Sequence, residues 1–212
     1  MDFRRLLSLL AVSWLAASAA LANPGMEGEQ PPLDASKQVI ERFYGALEAS
    51  MKAGDSLAFE QRRAQLAPAV EAAFDLPLMA AKVLGRHWRK LSSADQKRWI
   101  AAFSALTVKT YTEQFDENSG LVFEVGALQA APGGTALVRT RLKRASDAPV
   151  AIDYRLRPAG ASWRIMDIFL NGTVSELALR RSEYSSVFER DGFEKLVTTL
   201  QARSLVPAKR AS

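Results

Sequence analysis

The chain contains no cysteine and a single histidine, His87, among its 212 residues. Without cysteine, disulfides, a thiol nucleophile and lipid attachment through a cysteine are all excluded. One histidine cannot supply a multi-histidine metal site, and a zinc site would have almost no ligands to use. We therefore expect neither a bound metal nor a cofactor.

Strong charge of one sign is also missing. The formal net charge is +5, and the basic residues are spread along the sequence rather than clustered. Nucleic-acid binding needs clustered Lys and Arg together with a base-reading motif, so no nucleic-acid partner is expected. The mild excess favours anionic membrane surfaces or acidic partner faces only slightly.

The N-terminus has the pattern of an export signal. Two arginines precede an apolar run over residues 6–21, which serines interrupt and which is too short to span a bilayer of roughly 30 Å comfortably. Ala20 and Ala22 supply the small residues that signal peptidase requires before Asn23. We expect residues 1–22 to be a cleaved signal peptide, with an uncleaved membrane anchor as the alternative.

Composition divides the rest of the chain into three parts. Residues 23–33 are rich in Gly, Pro and Glu and are expected to form a disordered lead-in. Residues 34–206 are sufficient for a single domain with a substantial core. The basic segment 207–212 is expected to be a disordered tail.

Apolar residues at three- and four-residue spacing predict helices at both ends of this domain. In the first helix, for example, Val39, Phe43 and Leu47 fall on one face. Serine, threonine or aspartate followed three residues later by Gln or Glu predicts a capped helix start. The predicted helices begin near Ala35, Ser56, Pro77, Ser93 (with Gln96), Thr173 (with Glu176) and Asp191 (with Glu194).

Between the helices the apolar period changes from 3.6 to two, which predicts four strands. They cover residues 121–125, 135–143, 150–157 and 162–169. Their short, Gly- and Pro-rich connections join only antiparallel neighbours. The predicted fold is therefore α+β, with a four-stranded antiparallel meander sheet covered on one face by N- and C-terminal helices. Periodicity does not decide whether the helices close on a solid core or enclose an apolar cavity.

Alternation along the strands separates an apolar face from a basic one. The apolar face is predicted to carry Ala136, Val138, Leu142, Ile152, Tyr154, Leu156, Trp163 and Ile165. The opposite face is predicted to carry Arg139, Arg141, Lys143, Asp153, Arg155, Arg157 and Arg164. These arginines, with Arg180 and Arg181, either form a docking surface for a charged partner or keep the sheet soluble.

Catalytic chemistry has little support in the sequence. Ser175 and Asp167 would complete a triad with His87, but no Gly-x-Ser-x-Gly motif surrounds the serine. Asp167 shares the parity of Trp163, which predicts a carboxylate on the covered face that requires a partner. We expect a structural ion pair with Arg89, and a general base is the alternative.

Two blocks of the sequence carry a distinctive order of residues. The first block contains, in this order, Phe74-Asp75, Leu78-Met79, Leu84-Gly85, Trp88-Arg89, Leu91-Ser92, Gln96-Lys97-Arg98, Phe103, Leu106 and Tyr111. The second block runs over residues 167–200. Both blocks resemble the MlaC family of periplasmic lipid-binding proteins, although residues 171–177 depart from the family's Gly-Val-Ser turn. That variant is similar to the branch linked to hopanoid transport, often called HpnM.

The resemblance implies a periplasmic carrier that holds a phospholipid or hopanoid in an apolar cavity between helices and sheet. It also implies membrane-anchored lipid-transport proteins as partners and transient contact with membranes. A small enzyme acting on an apolar substrate in the same pocket is the alternative. From their shared parity, the residues predicted to line the pocket are Phe74, Met79, Val83, Phe103, Leu106, Tyr111, Ile152, Tyr154 and Trp163.

Overall fold

A computed structural model of the protein describes residues 30–115, 120–144 and 148–205. The predicted signal peptide, the C-terminal tail and most of the predicted lead-in lie outside the described residues. Within these ranges the chain is α+β, as predicted, with helices packed over an antiparallel sheet. In the described part of the chain, no helix combines the length and hydropathy that crossing a membrane requires.

The described ranges contain five α-helices. They are α1 (Leu33–Ala53), α2 (Phe59–Ala73), α3 (Leu76–Leu84), α4 (Ser93–Gln114) and α5 (Glu176–Leu205). A 3₁₀ segment, Gly85–Lys90, joins α3 to α4. Helix α5 is broken at Gly192, whose φ of 81° is accessible at little cost only to glycine. Helix α5 thus consists of two helical segments that meet at Gly192, in agreement with the two final helices predicted from sequence.

Two of the predicted capping residues differ from the observed ones by one or two positions. Ser92, not Ser93, caps α4, because its Oγ accepts a hydrogen bond from the backbone N–H of Asp95 at 3.1 Å. Ser175, not Thr173, caps α5. Adjacent residues of similar capping strength are not separated by sequence pattern alone.

The sheet has five strands in sequential order, each antiparallel to the next. They are β1 (Val122–Ala131), β2 (Thr135–Lys143), β3 (Val150–Ala159), β4 (Ser162–Leu170) and β5 (Val174–Ser175). The prediction of four strands was wrong because β5 has only two residues, too few to show an alternation. Strand β1 also extends beyond its predicted end, past an irregularity between Val125 and Leu128 that interrupts its alternation.

The helices lie on one face of the sheet and form the core with it. Trp99 and Trp163 are fully buried in that core, and their indole N–H groups donate to backbone carbonyls. The link between α2 and α3 adjoins the sheet, because Phe74 forms a parallel bridge with Ile165. The backbone N–H of Asp75 donates to the Ile165 carbonyl at 2.8 Å. The start of α3 is thus fixed against β4.

Asp75 also connects α3 to the basic face of the sheet. One carboxylate oxygen accepts from the Leu78 backbone N–H at 3.1 Å and caps α3. The other accepts from Arg157 Nε at 2.5 Å. Asp75 is 6% exposed, whereas the Arg157 side chain is 40% exposed, so the carboxylate is removed from water and the guanidinium is not. The Phe-Asp pair of the first sequence block therefore has a structural role.

A β-bulge in β4 overturns the prediction for Asp167. Ile165 pairs with Leu156 and Asp167 pairs with Arg155, which leaves Met166 as an extra residue between two register positions. The extra residue reverses the facing of everything that follows. Asp167 consequently lies on the basic face rather than the covered one.

The expected ion pair between Asp167 and Arg89 is also wrong. Asp167 instead accepts from the Ser175 hydroxyl at 2.7 Å and from the Leu177 backbone N–H at 3.2 Å, at the start of α5. Arg89 is exposed in the 3₁₀ segment. The carboxylate thus obtains its partners from a short strand and a helix start that sequence pattern did not reveal.

Candidate functional site

An apolar pocket lies between the sheet, the second half of α4 and the start of α5. Its volume is about 190 Å³. Most of its wall is aliphatic or aromatic, and its few polar groups come from α4 and α5. The lining residues are Phe74, Met79, Phe103, Thr107, Thr110, Tyr111, Gln114, Phe115, Ile152, Tyr154, Ile168, Leu170, Glu176, Leu177 and Arg180.

The structure brings most of the predicted site residues to this pocket. Those on its wall are Phe74, Met79, Phe103, Tyr111, Ile152 and Tyr154. Val83 and Trp163 are fully buried in the packed core, and Leu106 packs against that core without lining the pocket. Parity assigned these three residues to the correct face, but it does not give their position along that face. Contact of any of the nine residues with a lipid stays a prediction.

Aromatic rings form one wall of the pocket. The Tyr111 ring lies 5.3 Å from Phe74 and 6.0 Å, nearly parallel, from Phe115. Its edge also meets Phe43 of α1 at 5.2 Å. Such offset and edge-on pairs stabilise one another beyond simple burial. This wall is therefore a preformed aromatic surface rather than a set of independent side chains.

A hydrogen-bond network lies behind the wall, between α1 and the sheet. The Tyr44 hydroxyl is 2.6 Å from Thr140 Oγ1 and 3.2 Å from the Tyr154 hydroxyl. Thr140 in turn donates to the Ile152 carbonyl at 2.6 Å. The buried polar atoms thus satisfy one another, which fixes the rotamer of Tyr154 at the pocket wall.

The residues that sequence analysis missed are those at the start of α5 and the end of β4. Ile168 and Leu170 line the pocket because the bulge at Met166 turns them inward. Glu176, Leu177 and Arg180 reach it because α5 begins beside that edge of the sheet. The apolar alternation of β4 could have indicated Ile168 and Leu170, but only if the position of the bulge had been known.

Burial governs the ionisation of the tyrosines in this region. It raises the pKa of Tyr154 well above 10 and is also the largest cause of the raised pKa values of Tyr111 and Tyr44. At Tyr111, Glu176 adds to the rise and Arg180 opposes it. All three hydroxyls are therefore neutral at physiological pH and keep the proton that a hydrogen-bond donor needs.

His87 lies outside the pocket and away from Asp167. Its ring stacks on Phe188 at 4.4 Å, and its Nε2 lies 3.2 Å from Glu189 Oε1. Arg86 pairs with the same carboxylate, and these two partners lower the pKa of Glu189. The triad of Ser175, Asp167 and His87 considered from the sequence is therefore not assembled. Among the described residues, no cluster of His, Asp and Glu is suited to hold a metal.

The basic face of the sheet carries a separate groove of about 600 Å³. Arg139 and Arg141 line it and are exposed, whereas Asp153 lies in its floor. Burial raises the pKa of Asp153, and Arg139, with Nε 3.9 Å away, opposes that rise. Arg155 is fixed by hydrogen bonds to Thr135 Oγ1 and a backbone carbonyl. Arg139 and Arg141 are therefore the more available cations for a charged partner.

Fold and pocket together define a class: α+β proteins in which a helical layer and an antiparallel sheet enclose an apolar pocket. Comparison with known families makes this specific. The family model described as MlaC protein matches residues 37–202. The chain belongs to the MlaC family.

A solved structure has a similar fold. It is the phospholipid-binding protein from Ralstonia solanacearum, determined in complex with a phospholipid at 1.53 Å. The TM-score is 0.67 at 20% sequence identity, and the match covers 82% of this chain and 97% of that one. No curated protein matched. Membership of the MlaC family points to a binding or transport protein rather than an enzyme.

Proposed function

We propose that the protein is a periplasmic carrier that binds a phospholipid or hopanoid in the apolar pocket and shuttles it between inner- and outer-membrane components. The pocket between α4, α5 and the sheet is the observation that carries this proposal. Membership of the MlaC family and the likeness to a phospholipid-binding protein support it. Export by the predicted signal peptide belongs to the same proposal.

Apolar burial is sufficient to hold such a ligand. Each methylene of an acyl chain gains about 0.8 kcal/mol on leaving water, so one long chain gains on the order of 10 kcal/mol. The pocket volume, about 190 Å³, is below the roughly 300–1,000 Å³ of typical small-molecule sites. A lipid must therefore widen the pocket. The first half of α5 is the wall best placed to move, because Tyr184 is its only fully covered side chain and Gly192 ends it.

Lipid extraction from the purified protein tests the proposal directly. Protein from its native host would be extracted with organic solvent, and the extract analysed by mass spectrometry against the protein amount. A carrier should yield intact lipid at about one molecule per chain. Extracts without lipid, from protein that also fails to take up lipid from vesicles, would refute the carrier.

Two neighbouring residues of β3 provide a matched pair of variants for the pocket. Ile152 lines the pocket, while Ala151 lines the groove on the opposite face. We expect Ile152→Asp to abolish lipid copurification, because a carboxylate on an apolar wall opposes acyl-chain burial. Ala151→Asp introduces the same charge at the adjacent position and should retain lipid. Equal lipid content in both folded variants would show that Ile152 is not part of the binding wall.

Docking on membrane-anchored partners is proposed for the basic face of the sheet. Reversal of Arg139 and Arg141 to Glu should slow lipid transfer between donor and acceptor vesicles that carry transport components, while bound lipid stays in place. The control variant replaces Lys90 and Lys97 by Glu. Both lysines are exposed and lie on other surfaces, and their replacement changes the net charge by the same amount. Transfer that slows equally in both double variants would point to net charge rather than this face.

A further inference from the structure

We infer that Arg180, with the hydroxyl of Tyr111, forms a subsite for a phosphate group at the mouth of the pocket, so that the preferred cargo is a phosphate-bearing lipid rather than a neutral polycyclic one. The inference rests on the proposed lipid-carrier function. It goes further because it names the headgroup chemistry and the residues that recognise it.

Among the described residues that line the pocket, Arg180 is the only basic one. Its Nη1 donates to the Tyr184 hydroxyl at 3.3 Å, which ties the side chain to a buried residue one turn along α5. Its Nε lies 4.0 Å from the Glu176 carboxylate, beyond hydrogen-bond distance. A guanidinium has five N–H donors. Most of them are not taken by protein groups within the described residues.

Tyr111 supplies a second donor at the same place. Its ring is packed between Phe74 and Phe115, and within the described residues its hydroxyl forms no hydrogen bond. Tyr111, Glu176 and Arg180 all line the pocket, which places the three groups around the same space. Such a hydroxyl in a largely apolar pocket gains from a ligand acceptor.

The chemistry of these donors selects a phosphate. An oxyanion accepts two parallel hydrogen bonds from a guanidinium and a further one from a phenol, whereas a neutral polycyclic lipid offers Arg180 no acceptor of comparable strength. The acyl chains would enter among the aromatic residues, and the phosphate would remain at the mouth, where the 35%-exposed Arg180 side chain still reaches water.

Arg181 provides the matched control. It follows Arg180 directly on α5, is exposed, and its guanidinium lies against Gly85 rather than in the pocket. Replacement of either arginine by glutamine changes the net charge by the same amount. A difference between the two variants therefore reports position and not overall charge.

The test measures affinity for three probes with delipidated full-length protein. The probes are a fluorescent phosphatidylglycerol, the corresponding fluorescent diacylglycerol and free glycerol 3-phosphate. We expect Arg180→Gln to weaken phosphatidylglycerol binding about tenfold or more. Diacylglycerol affinity should change by less than about twofold, Arg181→Gln should leave both lipids unaffected, and Arg180→Lys should restore part of the loss.

Other outcomes overturn the inference. Equal weakening of both lipids would make Arg180 a structural residue, and no weakening would exclude the subsite. Tight, Arg180-dependent binding of glycerol 3-phosphate would indicate a site for a free anion instead of a lipid headgroup. If the wild-type protein binds neither lipid, the carrier function itself fails, which is a result distinct from loss of headgroup preference.

Discussion

Two ends of the same helix–sheet interface differ in how completely they are filled. At the closed end, defined by Trp163, Leu156 and Ile165, the side chains are fully buried. At the open end, defined by Tyr111, Ile152 and Ile168, the side chains are partly exposed and surround the pocket. Both ends are built from β3 and β4, whose apolar side chains face the helices on either side of the bulge at Met166. The difference therefore lies in their cover.

The cover differs because different helices supply it. At the closed end, α1 packs on β4 and the α2–α3 link is bridged to Ile165. At the open end, α4 ends and α5 begins, and the first half of α5 is largely exposed. A strand thus does not specify by itself whether its apolar face meets a solid core or a cavity. That depends on where the opposing helices start and stop.

The largest expected effect compares two residues of β3 on the same face. Leu156→Ala, at the closed end, should lower the free energy of unfolding by about 2–5 kcal/mol, because the surrounding core cannot collapse into the space. Ile152→Ala, at the open end, should cost less than half as much, since its side chain already adjoins a cavity. Urea denaturation measures both. Equal losses would mean that the two ends are packed alike.

The second-largest expected effect concerns Asp75, which fixes the start of α3 at the closed end. Asp75→Ala removes both the α3 cap and the partner of Arg157. We expect the free energy of unfolding to fall by about 2–4 kcal/mol, less than for a fully buried pair because Arg157 is partly exposed. Asp75→Asn keeps a capping oxygen, so its loss of unfolding free energy should be smaller than that of Asp75→Ala. A loss confined to the cap, about 1 kcal/mol, would show that the ion pair adds nothing.

Much of this architecture followed from the sequence, and the exceptions have physical causes. The helices, four of the strands and the two faces of β2 and β3 were predictable from periodicity. The bulge at Met166, the short β5 and the cap at Ser175 were not, because each depends on one or two residues whose role is set by neighbours distant in sequence. The same three features place Ile168, Leu177 and Arg180 at the pocket.

The division of the predicted site residues has a related cause. Tyr111 and Ile152 reached the pocket, whereas Val83 and Trp163 lie in the packed core. Parity gives the face on which a residue lies. Whether a helix covers that residue depends on the tertiary packing of the helices over the sheet. The family resemblance supplied the expectation of a cavity, and it did not place that cavity at one end.

Alkaline pH should destabilise the folded protein through the buried tyrosines of the open end. Tyr111 and Tyr154 lie at the open end, and burial raises the pKa of both in the folded protein. Below pH 10 the tyrosines are protonated in both states and stability is at its full value. Above it they ionise first in the unfolded chain, so the free energy of unfolding falls as pH rises. Tyr154→Phe should reduce that slope. An unchanged slope would assign the dependence to other groups.

The smallest effect concerns an arginine outside both ends. Arg89→Ala should change the free energy of unfolding by no more than about 0.5 kcal/mol, because the side chain is exposed in the 3₁₀ segment. The melting temperature should therefore shift little. Arg157→Ala, which leaves the Asp75 carboxylate unpaired, should destabilise clearly more. If Arg89→Ala is as damaging as Arg157→Ala, Arg89 has a partner that the structure does not show.

The extra residue in β4 can be lost without turning the pocket wall over. Asp167 pairs with Arg155 and Ile168 pairs with Tyr154, so deletion of Met166 would join Ile165 directly to Asp167 and leave both pairings in place. A chain without Met166 would therefore alternate regularly along β4, with Ile168 still at the pocket and Asp167 still on the basic face. A single lost codon at this position should remove the bulge without placing a carboxylate on the pocket wall.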